Sequence, residues 1–212
     1  MMADNYLGNK MEEHLARQQA SKASKAGRSL NQLFLENRSQ RSYDNRCVVG
    51  ENQLRRIVEV NTKIPSARNQ QVLRFRLVTG QQAEKLSGMI RLGGALPELH
   101  LPQPGHAPNA YIVICSTVEE SHYVDIDLGI SAQSMLLKAV DMGLNGICIG
   151  AFDKAAVTEA LQLPLQPLLL IGIGKGEEQI RLKEVPVGES LKYYREDGIH
   201  YVPKIQTKDL II

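Results

Sequence analysis

One long apolar segment most constrains what this chain can fold into. Residues 126–145 read IDLGISAQSMLLKAVDMGLN, and at helical spacing their apolar side chains cover most of the circumference. A helix that is apolar on most sides must be buried, either at the centre of a fold or at a subunit interface. We therefore predict a helix over residues 126–145 against which other elements, or a second chain, pack.

Four segments of the chain carry strand patterns. Residues 72–79 alternate apolar and polar side chains, which predicts a half-buried strand. Three apolar segments, one of which contains Cys148, predict buried strands over residues 111–118, 146–152 and 167–176. Further helical patterns alternate with the strands only in part, over residues 10–36, 51–63, 81–92 and 153–163. This mixture predicts an α+β fold in which helices surround a central mixed sheet.

The length and composition are those of one globular domain. The chain has 212 residues, of which 43% are hydrophobic and 23% charged, so we treat residues 1–212 as a single domain. Residues 1–32 form a predicted helical extension at the N-terminus. Residues 190–212 form a C-terminal extension with an apolar end, which we expect to dock on a partner subunit.

Charge and cysteine usage argue against several classes of protein. A net charge of +2 argues against nucleic-acid binding. No uninterrupted apolar run reaches the roughly 20 residues that a membrane span needs, and the N-terminus lacks a hydrophobic signal core, so we predict a cytoplasmic protein. Cys47, Cys115 and Cys148 are isolated in the sequence, which predicts neither a disulfide nor a zinc site.

Two arginines and a serine stand where the first helical pattern ends. In the segment NRSQRSY, residues 37–43, Arg38 and Arg41 flank Ser39. Two guanidinium groups and a hydroxyl suit an anionic phosphate. A basic helix end also complements the helix dipole, so the same residues would suit an ordinary surface.

A second polar segment, IPSARNQ at residues 64–70, separates a helical pattern from a strand pattern. Pro65 explains why the helix stops, because it disfavours helical dihedrals before it and donates no backbone hydrogen bond. The carboxamide of Asn69 carries donors and an acceptor, which can match a heterocycle edge that alternates C=O and N–H, such as a flavin pyrimidine. The alternative interpretation is a simple polar turn.

Other motifs point to no chemistry of their own. GISAQ at residues 129–133 lacks the second glycine of a nucleophile elbow, and GIGKG at 172–176 lacks the first glycine and the Ser/Thr of a phosphate-binding P-loop. His100 and His106 share a loop over residues 93–109 that holds three glycines and four prolines, but we predict no metal site there. Long loops of this kind often border a substrate pocket.

Three blocks, in this order and spacing, resemble the nitroreductase family of FMN-dependent oxidoreductases. NRSQRSY is similar to the family pattern Arg-Arg-Ser-x-Arg-x-(Phe/Tyr), and PSARNQQVLRF at residues 65–75 is similar to Pro-Ser-Ala-x-Asn-x-Gln-Pro-Trp-x-Phe. GLNGICIGAF at 143–152 looks like Gly-Leu-Gly-x-x-x-Ile-Gly-x-Phe. The resemblance covers about residues 33–185. The chain departs from it at Asn37, which replaces the first arginine, and at Val72-Leu73, which replace Pro-Trp.

The resemblance implies a nitroreductase-like fold, an intertwined homodimer and non-covalently bound FMN. NADH or NADPH would donate a hydride through flavin N5, and a nitroaromatic, a quinone or a similar acceptor would receive it in a ping-pong mechanism. The chain's cofactor-binding residues would be Arg38, Ser39, Arg41, Pro65, Ser66, Ala67, Asn69, Gly150, Ala151, Arg181 and Lys183. Of these, residues 65–69 would reach the flavin of the partner subunit.

Two other functions fit the same residues. One is a different flavin enzyme of this fold, such as a dehalogenase or a flavin-fragmenting enzyme. The other is a non-catalytic flavin-binding protein, for which the departures at Asn37 and Val72-Leu73 argue.

Overall fold

A computed structural model describes Met11 and residues 27–212. Helix α1 spans Leu30–Glu36, and a capping box at Ser29 fixes its start, since Ser29 and Gln32 exchange two hydrogen bonds. Met11 is helical and exposed. Residues 27–29 are not helical, so the helix predicted over residues 10–36 is not continuous there. Residues 10 and 12–26 of that prediction, and most of the predicted extension over residues 1–32, lie outside the described residues.

The central sheet has four strands in the order β1-β2-β4-β3. Their bounds are Leu73–Thr79 for β1, Ala110–Ser116 for β2, Asn145–Ile149 for β3 and Pro167–Gly174 for β4. The predicted α+β class is confirmed, but all three pairings in this sheet are antiparallel instead of mixed. A helix between two strands does not fix their relative direction, so the order of helices and strands could not distinguish a mixed sheet from an antiparallel one.

A second sheet is formed by the C-terminal part of the chain. It has three strands in the order β5-β7-β6, namely Gln179–Val185, Ile199–Ile205 and Tyr194–Glu196. β5 and β7 are parallel, whereas β6 and β7 form a hairpin through Asp197 and Gly198, both at positive φ. An Asp-Gly pair is a preferred hairpin turn for this reason. We call β5, β6 and β7 the C-terminal sheet.

Four larger helices and one short helix complete the fold. They are α2 at Glu51–Val58, α3 at Gly80–Ser87, α4 at His122–Asp141, α5 at Lys154–Leu161 and α6 at Thr207–Leu210. Short 3-10 turns follow α2 over Glu59–Thr62 and occur at Ala67–Asn69 and Pro97–Leu99. Asp153 caps the start of α5, since its carboxylate accepts the N–H groups of Ala155 and Ala156.

The core lies on both faces of the central sheet. All seven residues of β2 are buried, and Ile112 and Ile114 belong to the same cluster as Met135 of α4. Tyr111 and Val113 belong to the cluster on the other face. α4 is therefore packed along one side of the sheet, as its composition predicts, while Ile126 on the same helix remains 43% exposed.

The exposure of the cysteines and the apolar character of the helices can be compared with the sequence predictions. Cys115 is buried, whereas Cys47 and Cys148 are exposed, so the prediction that Cys148 is buried is wrong. β3 is an edge strand, and alternate side chains of an edge strand readily face outward. Within the part of the chain that the structure describes, no helix combines the length and the apolar character needed to cross a membrane.

Candidate functional site

The segment between α1 and α2 lies against the end of β4. The Tyr43 side chain is fully buried, and its hydroxyl donates to the Gln40 carbonyl at 2.9 Å. A Cβ atom at Gly174 would lie 2.6 Å from the Tyr43 ring, and one at Gly176 would lie 2.5 Å from the Gln40 side chain. Two glycines of the GIGKG segment therefore permit a close approach that no larger residue would allow.

This packing places the first predicted block at one end of β3. Ser39 forms a parallel bridge to Gly146, and the Gln40 N–H donates to the Gly146 carbonyl at 3.3 Å. Gly150 and Ala151 lie just beyond the other end of β3, about 13 Å away at 3.3 Å per residue. Both are exposed, and a Cβ atom at Gly150 would meet nothing within 4 Å. One sheet edge thus carries arginines at its start and open backbone at its end.

Arg41 is held on several sides by the C-terminal part of the chain. Its Nη1 donates to the Ser39 carbonyl at 2.9 Å and lies 3.5 Å from His200 Nε2. Its guanidinium carbon lies 4.6 Å from the centroid of the Tyr193 ring. The backbone N–H of Arg41 donates to the carboxylate of Glu178. The side chain is therefore fixed by contacts that the sequence pattern did not indicate.

Glu178 connects the first block to the C-terminal sheet. Its side chain is 7% exposed, and its second carboxylate oxygen accepts from Arg195 of β6. The Glu178 backbone N–H donates to the Gln40 side chain at 3.1 Å. A buried carboxylate needs such partners, and here they join three parts of the chain that are distant in sequence.

His200 of β7 is neutral in this setting. Its residue is 2% exposed, and burial, together with the charges of Arg41 and Arg195, lowers its pKa from 6.5 to about 4. A neutral imidazole can accept a hydrogen bond from Arg41 through Nε2, which assigns the proton to Nδ1. The two rings His200 and Tyr193 lie 5.1 Å apart.

Three buried nitrogen donors at this site have no hydrogen-bond partner among the described residues: Arg38 Nε, Arg41 Nε and His200 Nδ1. Arg38 does donate from Nη2 to the Phe34 carbonyl at 2.5 Å, and burial lowers its pKa. A buried donor without an acceptor costs about 1–3 kcal/mol. The two arginine donors are cationic and the His200 donor is neutral, and donors of this kind suit an anionic or carbonyl-rich ligand.

The second predicted block is fixed by a carboxylate on α4. Asp127 is 3% exposed and accepts the Ala67 N–H at 2.7 Å and the Gln70 side-chain amide at 3.1 Å. The Ser66 hydroxyl accepts from the Gln71 N–H at 3.3 Å. Asp127 is thus the residue that attaches the loop over residues 65–71 to the core.

The loop itself has an unusual backbone. Arg68, Asn69 and Gln71 have φ values of 53°, 52° and 46°, in the left-handed region that few residues other than glycine adopt. The Arg68 guanidinium carbon lies 5.4 Å from the Tyr123 ring centroid on α4. Asn69 is exposed, like Pro65, and its side-chain oxygen accepts from Gln71 at 2.9 Å. The loop therefore presents a carboxamide at the surface on a restrained backbone.

Helix α4 relates the two blocks within one chain. The Asn37 side chain donates to Gln133 at 3.3 Å, six residues along the helix from Asp127. Six residues correspond to about 9 Å along a helix and to a different side of it. Among the described residues, no hydrogen bond joins residues 38–41 to residues 65–69. Within one chain, Ser39 lies against the start of β3, Gly150 and Ala151 follow its other end, and the loop is attached to α4.

The late basic pair lies apart from Arg41. The Lys183 amine is 3.5 Å from the Tyr194 hydroxyl, and the Tyr194 ring stacks on that of Tyr201. Successive residues of a strand face opposite sides, so Tyr201 lies on the face opposite to His200. Arg181, two residues before Lys183 on β5, is exposed. Their role in phosphate binding stays a prediction.

A groove of about 890 Å³ runs along the outer edge of β1. Its walls come from α2, from β1, from Pro65 and Ser66 of the loop over residues 65–71, and from Asp127 of α4. β1 is the edge strand of the central sheet, so its outer backbone groups pair with no strand of the described part of the chain. A groove that combines a free strand edge with apolar side chains suits a protein partner.

Sequence reasoning missed four residues of this region: Asp127, Glu178, Tyr193 and His200. Only Asp127 left a signal, because it is an acidic residue within a helix that is otherwise largely apolar. The other three are ordinary polar residues in a segment whose pairing was not predicted. Within residues 27–212, no group of three His, Cys, Asp or Glu side chains is arranged to hold a metal.

Comparison with solved structures shows the same fold in several bacterial proteins. A nitroreductase family protein from Streptococcus pneumoniae is 20% identical, with 72% of this chain and 93% of that chain covered and a TM-score of 0.59. A variant of the FMN and NADPH-dependent nitroreductase NfnB from Sphigopyxis is 19% identical, with 71% and 89% covered and a TM-score of 0.60.

A third structure, from Exiguobacterium sibiricum, was determined in complex with FMN; it is 19% identical, with 72% and 90% covered and a TM-score of 0.58. A search of curated proteins finds no match. The sequence model of the Nitroreductase family matches residues 35–175, which is more than half of the chain. Together with the fold, this match shows that the chain belongs to the nitroreductase family.

Proposed function

We propose that the protein is an FMN-dependent oxidoreductase that passes electrons from NADH or NADPH to a nitroaromatic, a quinone or a similar small acceptor. The observation that carries this proposal is the set of buried, unpaired donors at Arg38 and Arg41. The sequence pattern independently assigns the same two arginines to FMN. Flavin mononucleotide offers a phosphate and a pyrimidine edge, which are acceptors of the kind these donors lack.

The residues along β3 fit FMN chemically. Arg38, Ser39 and Arg41 supply cationic and hydroxyl donors at one end, and the exposed backbone of Gly150 and Ala151 allows close approach at the other. The loop block supplies Asn69, whose carboxamide suits a pyrimidine edge. These residues would bind and orient the cofactor, and the binding of a negatively charged group would also compensate the buried charge of Arg38.

Bound FMN would supply the redox chemistry, taking a hydride from the nicotinamide and passing reducing equivalents to the acceptor in a second half-reaction. The protein contributes binding, orientation and electrostatics. Arg41 keeps a fixed positive charge beside the cofactor, which favours electron uptake. This scheme requires no side chain of the protein to act as an acid, a base or a nucleophile, and we assign none of these roles to the described residues.

The site is proposed to be shared between two chains of a homodimer. In one chain, Asp127 holds the Asn69 loop beside the groove at β1, whereas Arg41 lies at the edge of β3. The exposed apolar tail at Leu210, Ile211 and Ile212 provides further surface that a second copy would cover. A two-fold dimer would repeat each contact twice and complete two identical sites. We expect the dimer to work in the cytoplasm on small molecules.

Spectroscopy and steady-state kinetics test this function. The purified protein is expected to be yellow, to release FMN on heating, and to rebind it afterwards. It should oxidise NADH or NADPH, faster when a quinone is added. A colourless protein that binds no added FMN would contradict the proposal. A yellow protein that oxidises neither nucleotide would instead support a non-catalytic flavin-binding function.

A further inference from the structure

Tyr193 lies outside the family match, which ends at residue 175, yet it contacts the arginine proposed to bind the cofactor. Its ring faces the Arg41 guanidinium at 4.6 Å, and its hydroxyl accepts the Ala95 N–H at 3.1 Å. Ala95 belongs to the long loop over residues 93–109. One side chain thus contacts both Arg41 and that loop.

The ring of Tyr193 is one of the few groups that contact the Arg41 guanidinium. The Arg41 guanidinium has one short hydrogen bond, to the Ser39 carbonyl, and a longer contact to His200. A long side chain loses much rotamer freedom when it is fixed, so a preformed stacking partner reduces what ligand binding must still order. A cation over an aromatic face is also attracted to it directly.

The hydroxyl of Tyr193 restrains the loop over residues 93–109. Gly93, at the start of this loop, is close to Arg41, since a Cβ atom there would lie 3.8 Å from Arg41 Cδ. A cavity of about 450 Å³ lies between the loop and residues 190–195, and Leu96, Leu99 and Tyr193 are among its lining residues. The Tyr193 hydroxyl therefore connects the first residues of the loop to the segment just before β6.

We propose that Tyr193 is a positioning residue with two separable effects: its ring orients Arg41 for FMN, and its hydroxyl holds the loop over residues 93–109 where the acceptor enters. This inference rests on the proposed function. It assigns the segment just before β6 a role in cofactor affinity and in acceptor selection. The two effects involve different atoms of one side chain, so different substitutions separate them.

Two variants of Tyr193 test the two effects. Tyr193→Phe keeps the ring and removes the acceptor of the Ala95 N–H, so FMN affinity should stay within about twofold while the KM for a quinone rises about 2- to 12-fold. Tyr193→Ala removes both, so FMN affinity of the apoprotein should also fall about 2- to 30-fold. FMN binding is measured by titration of apoprotein, without turnover.

Hydrogen–deuterium exchange of the apoprotein gives a readout that needs no flavin. Residues 93–99 should exchange faster in Tyr193→Phe than in wild type, because the Ala95 N–H has lost its acceptor. Tyr201→Phe and Tyr201→Ala are matched controls, since Tyr201 lies on β7 and its ring stacks on Tyr194, the residue that follows Tyr193. They should leave FMN affinity and loop exchange unchanged. If Tyr193→Ala fails to fold, Tyr193→Leu keeps apolar packing without an aromatic face.

The outcomes separate this inference from the proposed function. If wild-type apoprotein binds no FMN, the proposed function is wrong, and so is the proposed role of Tyr193, which rests on it. If wild type binds FMN and the Ala or Leu variant binds equally well, the ring does not position Arg41. Unchanged loop exchange and quinone KM in Tyr193→Phe would overturn the role of the hydroxyl. Equal losses in the Tyr201 controls would show that Tyr193 acts only through the stability of the sheet.

Discussion

At the scale of single residues, His200 shows how the C-terminal sheet controls charge around Arg41. The groups that face it are Arg41, Arg195 and Tyr193, while the nearby carboxylate of Glu178 is paired with Arg195. Burial and two neighbouring cations lower the His200 pKa to about 4, so no third positive charge forms at neutral pH. The site therefore keeps the charge of its arginines available for a ligand.

Lowering the pH is expected to destabilise the protein through His200. The unfolded chain binds a proton near pH 6.5 that the folded chain binds only near pH 4, so stability is complete above pH 6.5 and falls as the pH approaches 4. The effect is at most about 3 kcal/mol. Thermal unfolding of wild type and His200→Gln, measured in steps across this range, should show a weaker pH dependence in the variant.

A second histidine variant serves as the control for this measurement. His122 is exposed at the start of α4, so His122→Gln should retain the pH dependence of wild type. If His200→Gln and wild type lose stability equally between pH 6.5 and 4, His200 is not held neutral by its surroundings. Glutamine takes up no proton in this pH range, so the comparison isolates the protonation of His200.

At the scale of elements, α4 is what restrains the loop that carries Asn69. Asp127 accepts the Ala67 N–H at 2.7 Å from a position that is 3% exposed. Residues in the left-handed region cost about 1–3 kcal/mol each and persist only where their surroundings hold them. The loop has three such residues, so its conformation depends on the contacts of α4.

Asp127→Asn is expected to lower the free energy of unfolding by about 1.5–3 kcal/mol, because a charged acceptor is lost and a new donor faces the loop. It should also weaken FMN binding through the displaced Asn69 loop. Chemical denaturation and flavin titration measure the two effects. Asp125→Asn is the matched control, since Asp125 is exposed two residues away on the same helix. If the two variants unfold and bind FMN alike, Asp127 does not restrain the Asn69 loop.

The sequence predicted elements from local patterns and missed those that depend on distant pairing. α4 was predicted over residues 126–145 and spans His122–Asp141, because Ser121 caps its start and Gly143, with φ of 77°, follows its end. The apolar strands were identified because burial on both faces leaves a continuous apolar run. The parallel pairing of β5 with β7 joins residues twenty apart, such as Gln179 and Ile199, and no local periodicity encodes it.

The candidate site likewise combines residues that the sequence indicated with residues that it did not. Arg38, Ser39 and Arg41 were predicted because a basic segment after a helix is visible in the sequence; the structure places Ser39 beside Gly146 of β3, and their role in FMN binding stays a prediction. Tyr193 and His200 reach Arg41 only through the C-terminal sheet, so sequence spacing gave no reason to group them. The pairing of β5 and β7 therefore decides which residues surround the arginine.

At the scale of the whole molecule, we propose that the two predicted blocks meet across two chains. In one chain, Asn37 of the first block contacts Gln133 and the Asn69 loop is held by Asp127, six residues earlier on α4, and the groove along β1 offers a free strand edge. A dimer that brings the Asn69 loop of one protomer to the Arg41 of its partner would unite them. A site shared between two chains makes a prediction that a site within one chain does not.

Two inactive variants should restore each other when they are co-expressed. Arg41→Ala removes a charge-assisted hydrogen bond worth about 1.5–3 kcal/mol, on the order of a 10- to 150-fold loss of FMN affinity. Asn69→Gly removes the carboxamide and keeps a residue that tolerates φ of 52°. In a mixed dimer, one site carries both substitutions and the other carries neither. Random pairing makes about half of the dimers mixed, so roughly a quarter of all sites should be intact. Activity well above that of either variant, in a preparation shown to contain mixed dimers, would establish the shared site; if both residues came from one chain, every site would keep one lesion and no activity would return.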